Sequence, residues 1–122
     1  MDEIMNDKLK EKLELSILFD FYGELLKDHN KPIFEDYILN DLSLSEIAQE
    51  CGISRQGVYD IVKRCSKQLR DCEDKLHLVH KFELTKQKVG CIKALSLSIN
   101  ETKDLKSLDE IIRLSETILN DL

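Results

Sequence analysis

Arg55, Gln56, Tyr59, Asp60 and Lys63 stand at positions i, i+1, i+4, i+5 and i+8 of one stretch. On a helix this spacing gathers them on one broad face, because residues three and four apart are neighbours. A guanidinium, a carboxamide, a phenol, a carboxylate and an ammonium on one face supply the donors and acceptors that read base edges in a major groove. Arg55 and Gln56 are the candidates for base edges, and Tyr59 and Lys63 for bases or the adjoining backbone. Asp60 shares that face, while Ser43, Ser45 and Lys67 are candidate phosphate contacts. Three of them have a plain alternative: a solvated first turn for Arg55 and Gln56, partial packing against the preceding helix for Tyr59.

The elements that must hold this face are legible around it. Leu44, Ile47 and Ala48 give a short helix an apolar side, and Ser43 or Ser45 can cap its start. Glu46 lies three residues after Ser43, as a capping box requires. Gly52 marks a tight turn, Ile53 can plug the space between two helices, and Ser54 can cap the second. In that second helix Val58, Ile61, Val62 and Cys65 face inward. Residues 43 to 70 therefore predict a helix-turn-helix whose core is Leu44, Ile47, Ala48, Gly52, Ile53, Ser54, Val58 and Val62.

Composition sets the frame. With 122 residues, 42% apolar and 34% charged, one Pro, four Gly and no Trp, the sequence predicts an all-α protein forming a single domain. Residues 8–70 would hold the N-terminal helices and the motif, and residues 71–122 a long helical C-terminal extension. No stretch approaches the roughly 18 apolar residues of a membrane span, and the acidic Met-Asp-Glu start is unlike a signal peptide. The expectation is a cytoplasmic protein with no membrane insertion. Cys51, Cys65, Cys72 and Cys91 lack a Cys-x-x-Cys pair and are expected as buried free thiols, with no metal. The net charge of −6 hides a partition: −8 over residues 1–50, +5 over 51–93 and −3 over 94–122. Local positive charge begins at the motif's turn, and distant negative charge weakens any phosphate contact.

In chain order, residues 8–27 predict a first helix with Leu9, Leu13, Ile17, Leu18, Phe19, Tyr22, Leu25 and Leu26 as its apolar set. Asp28-His29-Asn30 breaks it, and Asn30 with Pro32 opens a second helix through about Leu39. The helix after Ser54 shows no obvious stop: Val58, Val62, Cys65, Leu69, Cys72, Leu76 and Val79 keep heptad spacing. Phe82, Thr85, Val89, Ile92 and Leu95 continue a stripe, with Gly90 as a candidate break and Asn100 to Lys103 as a loop. Leu105, Leu108, Ile111, Ile112, Leu119 and Leu122 mark a last amphipathic helix. Either that helix folds back on the long one, or these helices pair between two copies in a homodimer; the sequence leaves both open.

Catalysis has little foothold, and no catalytic residue or cofactor is expected. His29 stands alone, His77 and His80 lack a third ligand, and acidic neighbours such as Glu35-Asp36 diverge around a helix. There is no glycine-rich phosphate loop.

Leu44-Ser-Glu-Ile-Ala-x-x-x-Gly-Ile-Ser54, followed by Val58 and Lys63-Arg64, resembles region four of bacterial sigma factors. A fuller resemblance is to the YlxM/p13-like helix-turn-helix proteins of Gram-positive bacteria. It rests on Phe19-Asp-Phe-Tyr-Gly-Glu-Leu-Leu26, Tyr37, Asp41-Leu-Ser-Leu-Ser-Glu-Ile-Ala48 and Ser54-Arg-Gln-Gly-Val-Tyr-Asp60. This resemblance implies a non-enzymatic regulator with a sigma-like motif, linked through gene neighbourhood to the signal recognition particle pathway. Two departures stand out: the Asp28 to Lys31 helix start, and Gly57 where alanine is more usual. A mid-helix glycine costs about 0.5–1 kcal/mol relative to alanine. Two functions follow as expectations. One is a regulator that binds double-stranded DNA; the other is an interaction module whose acidic half binds a basic protein or ribonucleoprotein, signal recognition particle components included.

Overall fold

The structure, a computed structural model, describes residues 2–122, with side chains from residue 6 onward. Its regular elements are all helical: α1 (Asp2–Tyr22), α2 (Lys31–Ile38), α3 (Leu44–Cys51), α4 (Arg55–Leu76), α5 (Leu78–Thr102) and α6 (Leu108–Asp121), with 3-10 turns at Gly23–Leu25 and Leu105–Ser107. The all-α class read from the sequence holds. The chain divides into two compact units, one ending at Val79 and the other spanning His80–Leu122.

The first unit owns the core. Leu15, Leu18, Phe19 and Tyr22 line one side of α1 and meet Phe34 and Ile38 of α2, Ile47 of α3, and Val58, Val62, Cys65 and Leu69 of α4. The Phe19 and Phe34 rings pack tilted, with centroids 5.8 Å apart. Gly23 is buried beneath Phe19, and a Cβ there would stand 2.9 Å from that ring. A methyl here would force the Phe19 ring to shift. Leu9 and Leu13 belong to the other side of α1 and are exposed, so only one of its two apolar stripes contributes to the core.

The seam predicted along one long helix is interrupted. It is buried from Val58 to Leu69, against the unit's own helices, and α4 then ends at Leu76. His77 takes a left-handed conformation, φ 55°, with its N–H donating to the Glu73 carbonyl at 2.8 Å. The next amides have waiting partners: the Leu78 N–H donates to Tyr22 Oη at 3.2 Å and the Val79 N–H to Glu73 Oε1 at 3.0 Å. Tyr22 Oη donates in turn to Glu73 Oε1 at 2.6 Å. Orphan donors at a helix start need such acceptors, and here they fix where α5 begins. Burial, and then the hydrogen bond to Glu73, push the Tyr22 phenol's pKa above its ordinary value.

Three further expectations need correction. The break falls at His77 and not near Gly90, which lies inside the continuous α5 with open space around it. The loop expected at Asn100 to Lys103 shrinks, because α5 runs on to Thr102 before Lys103 turns left-handed. α2 opens as expected, with Asn30 before it and Pro32 in its first turn, and among the described residues the buried Asn30 Oδ1 has no partner. Cys65 is buried and its pKa raised by burial, Cys72 is half-buried, but Cys51 and Cys91 are exposed, contrary to the buried thiols expected. All four are free.

The second unit is a hairpin of α5 and α6. Lys88 Nζ meets Asp121 Oδ2 at 3.0 Å, which places the end of α6 beside the middle of α5 and makes the pair antiparallel. Thr85, Ile92, Leu95 and Ile99 of α5 and Ile111, Leu114 and Ile118 of α6 are half-buried, one row on each helix, and in an antiparallel pair such rows mark the strip the helices turn toward each other. The terminal helix does fold back, onto α5. Neither helix contains a fully buried residue.

Candidate nucleic-acid interface

The site is built from its caps outward. Ser43 Oγ accepts the Glu46 N–H at 3.1 Å while Glu46 Oε1 accepts the Ser43 N–H at 3.2 Å, a complete capping box that starts α3. At the other end Gly52 is left-handed, φ 69°, and its N–H donates to the Ala48 carbonyl at 3.0 Å. The Ile53 N–H closes on the same carbonyl at 3.2 Å. Glycine reaches that backbone without the steric cost of a Cβ, so Gly52 sets the turn. Ser54 Oγ then accepts the Gly57 N–H at 2.9 Å and starts α4. A Cβ on Gly57 would lie 3.1 Å from that same oxygen, so the glycine gives the cap its clearance.

Below the turn, Ile47 and Val58 are fully buried and lock α3 to α4, with Val62 beneath them. Leu44 and Ala48 are half-buried at the edge. Ile53, expected as a plug, is 40% exposed and fills the gap only in part.

The opposite face of α4 is open. Arg55, Gln56, Tyr59, Asp60, Lys63, Arg64 and Lys67 are all exposed. Among the described residues Arg55 has no hydrogen-bond or ion-pair partner in the protein. Gln56 Nε2 donates to Asp60 Oδ1 at 3.0 Å, so this pair presents one amide–carboxylate unit. Lys63 Nζ lies 6.0 Å from the Tyr59 ring centre, and Lys67 Nζ is 3.0 Å from Asp71. Ser43 spends its acceptor on the capping box but keeps its O–H, and Ser45 is exposed beside it.

Sequence reasoning missed what lies along the edge of this face. A cleft of about 1020 Å³ runs between α1 and α4, and Lys8, Lys12, Lys63, Arg64, Lys67 and Arg70 line it against Glu11, Asp71 and Asp74. Lys12 is held by Asp41 at 3.2 Å and sits 4.5 Å over the Tyr37 ring, and Arg70 lies 3.5 Å from Glu11. Lys8, Lys63 and Arg64 have no ion pair among the described residues. Charge summed over residues 1–50 hid this, because Lys8 and Lys12 lie one helical turn apart on an otherwise acidic segment. Among the described residues no group of three or more His, Cys, Asp or Glu could hold a metal ion, and no helix is long and apolar enough to cross a membrane.

A capped short helix, a left-handed glycine turn and a second helix with one buried and one open polar face define a helix-turn-helix protein. The chain belongs to the YlxM / p13 like helix-turn-helix family, whose model matches residues 9–111. It is 46% identical over 110 residues to a UPF0122 protein of Mycoplasma capricolum subsp. capricolum, covering 90% of this chain and 96% of that one. A UPF0122 protein of Clostridium kluyveri is 42% identical over 104 residues, 84% of this chain and 93% of its own. One of Acetivibrio thermocellus is 42% identical over 106 residues, 81% of this chain and 91% of its own.

Proposed function

We propose that this protein is a regulator that binds double-stranded DNA through the open face of α4, as a homodimer whose two copies address two half-sites. The observation that carries the proposal is Arg55: exposed, unpartnered among the described residues, and set on the first turn of a helix capped and locked from behind. A helix fixed in this way can present a fork-shaped donor to a base edge with little further ordering. Tyr59 and Lys63 continue the face, and Lys67 with the hydroxyls of Ser43 and Ser45 reaches the phosphates that flank the groove. The adjoining cleft extends the positive surface toward α1.

The test is fluorescence anisotropy on cognate and scrambled duplexes across a salt series. Arg55→Ala is expected to cost about 1–3 kcal/mol on cognate DNA and to relax specificity. Lys67→Ala should weaken all duplexes alike and reduce the salt slope by about one. Unchanged binding by both variants overturns the proposal.

A second reading takes the motif as scaffold and has the acidic N-terminal half, −8 over residues 1–50, bind a basic protein or ribonucleoprotein. Signal recognition particle components are the partners suggested by the family resemblance. Capture of such a component through that half, with no duplex bound at low salt, would favour it.

A further inference from the structure

We infer that the α5–α6 hairpin is the dimer interface, and that a second copy of this chain covers its apolar face with Lys93 of each copy against Glu116 of the other. The proposal deepens the paired reading above by naming the surface, and it does not depend on DNA being bound.

The hairpin leaves one face uncovered. Val89 is 51% exposed, and Leu108, Ile112 and Leu119 are 41%, 53% and 68% exposed. At 3.6 residues per turn, Val89 of α5 and these three of α6 sit about a quarter- to a third-turn off the strip where the two helices meet, in the same rotational sense on each. Antiparallel helices turned in the same sense show those residues on the same side. The hairpin thus presents one apolar face, and a hairpin with no fully buried residue has little hydrophobic stabilisation of its own.

The two helices carry opposite charge. From Leu78 to Thr102, α5 carries four lysines against two glutamates, whereas α6 carries four acids against one arginine. Part of this is satisfied within the hairpin, by Lys88 with Asp121 and Arg113 with Glu110. Lys93 and Glu116 are left exposed and without an ion pair among the described residues. Both border the apolar face: Lys93 follows Val89 by four residues and Glu116 follows Ile112 by four. One rim of the face is basic and the other acidic.

The register of the hairpin aligns these charges. The Lys88–Asp121 bridge, and a connection centred near Leu105, put residue 93 level with residue 116 along the hairpin. A two-fold axis parallel to the helices lays α5 of one copy over α6 of the other, antiparallel and at unchanged height. Lys93 then meets the second copy's Glu116 twice, once on each side. Ser96, on the α5 side of the face and with its hydroxyl already donated to the Ile92 carbonyl, stands level with Ile112 and leaves room for it. The result is a four-helix bundle with all neighbours antiparallel.

Sedimentation of the full chain from about 1 to 200 μM, the span of a moderate self-association, tests this. A concentration-dependent dimer is expected. Ile112→Asp, at an exposed position, should weaken it by about a hundredfold or more, as removal of a central anchor does. Lys93→Glu and Glu116→Lys should each weaken it by about tenfold, through two like-charge contacts per dimer. The double swap should restore it, and a mixture of the two single variants should pair with each other in preference to themselves. Circular dichroism confirms that each variant keeps its helices. A native chain that stays monomeric overturns the proposal, as does a dimer indifferent to Ile112→Asp or a swap that fails to restore pairing. A dimer of this kind that binds no duplex keeps this interface and removes the DNA reading instead.

Discussion

Helices α4 and α5 are of similar length, 22 and 25 residues, and both carry apolar residues at three- and four-residue steps, yet α4 buries five side chains and α5 none. The difference lies in what surrounds them. Three helices of the same unit close over Val58, Val62, Cys65 and Leu69, whereas α5 has α6 along one strip and an open apolar face beside it. Periodicity reports that a face needs cover; it carries no information on whether the cover comes from the same chain.

Truncation on either side of this comparison gives the largest contrast. Leu69→Ala removes a fully buried side chain and should cost about 2–5 kcal/mol in a urea melt. Ile112→Ala, at a face 53% exposed, should cost under about 1 kcal/mol at sub-micromolar concentration. Equal costs would erase the distinction between the two regions. Next comes Gly23→Ala, which drives a methyl into the Phe19 ring and should cost about 1–3 kcal/mol, while Gly90→Ala in the open hairpin should stabilise by up to about 1 kcal/mol.

Tyr22→Phe should cost about 0.5–1.5 kcal/mol by removing one hydrogen bond to Glu73 and the acceptor of the Leu78 N–H. Because folding raises this phenol's pKa above 10.0, the folded state holds the proton longer than the unfolded one. Its contribution is fully present below pH 10.0 and is lost as pH rises through the folded value. Part of the alkaline loss of stability should therefore vanish in Tyr22→Phe, read from melts across that range. The smallest effect leaves stability untouched: a thiol reagent should label exposed Cys51 and Cys91 quickly and buried Cys65 slowly. Rapid labelling of Cys65 would show that the first unit's core opens more readily than its packing implies.

What was legible in the sequence was local. The capping box at Ser43 and Glu46, the turn at Gly52 and the cap at Ser54 are made by residues within four positions of one another, and each stands where its spacing put it. The stop of α4 was not legible, because it is held by Tyr22 bonding Glu73 across 51 positions. Leu9 and Leu13 matched a helical period but fell on the uncovered side of α1, and a period alone does not say which stripe is inside. The basic cleft escaped for the same reason: Lys8 and Lys12 meet Lys63 and Lys67 only once α1 is folded against α4.

The most direct test of a DNA-reading face on α4 is selection from a random pool of genomic duplex fragments over a salt series, with the bound fragments sequenced for the native chain and for Arg55→Ala. One family of sites, enriched by the native chain and lost in the variant, is the expected result, and its half-site spacing would report the geometry of the dimer. No duplex retained even at low ionic strength, or identical enrichment by both proteins, would contradict it.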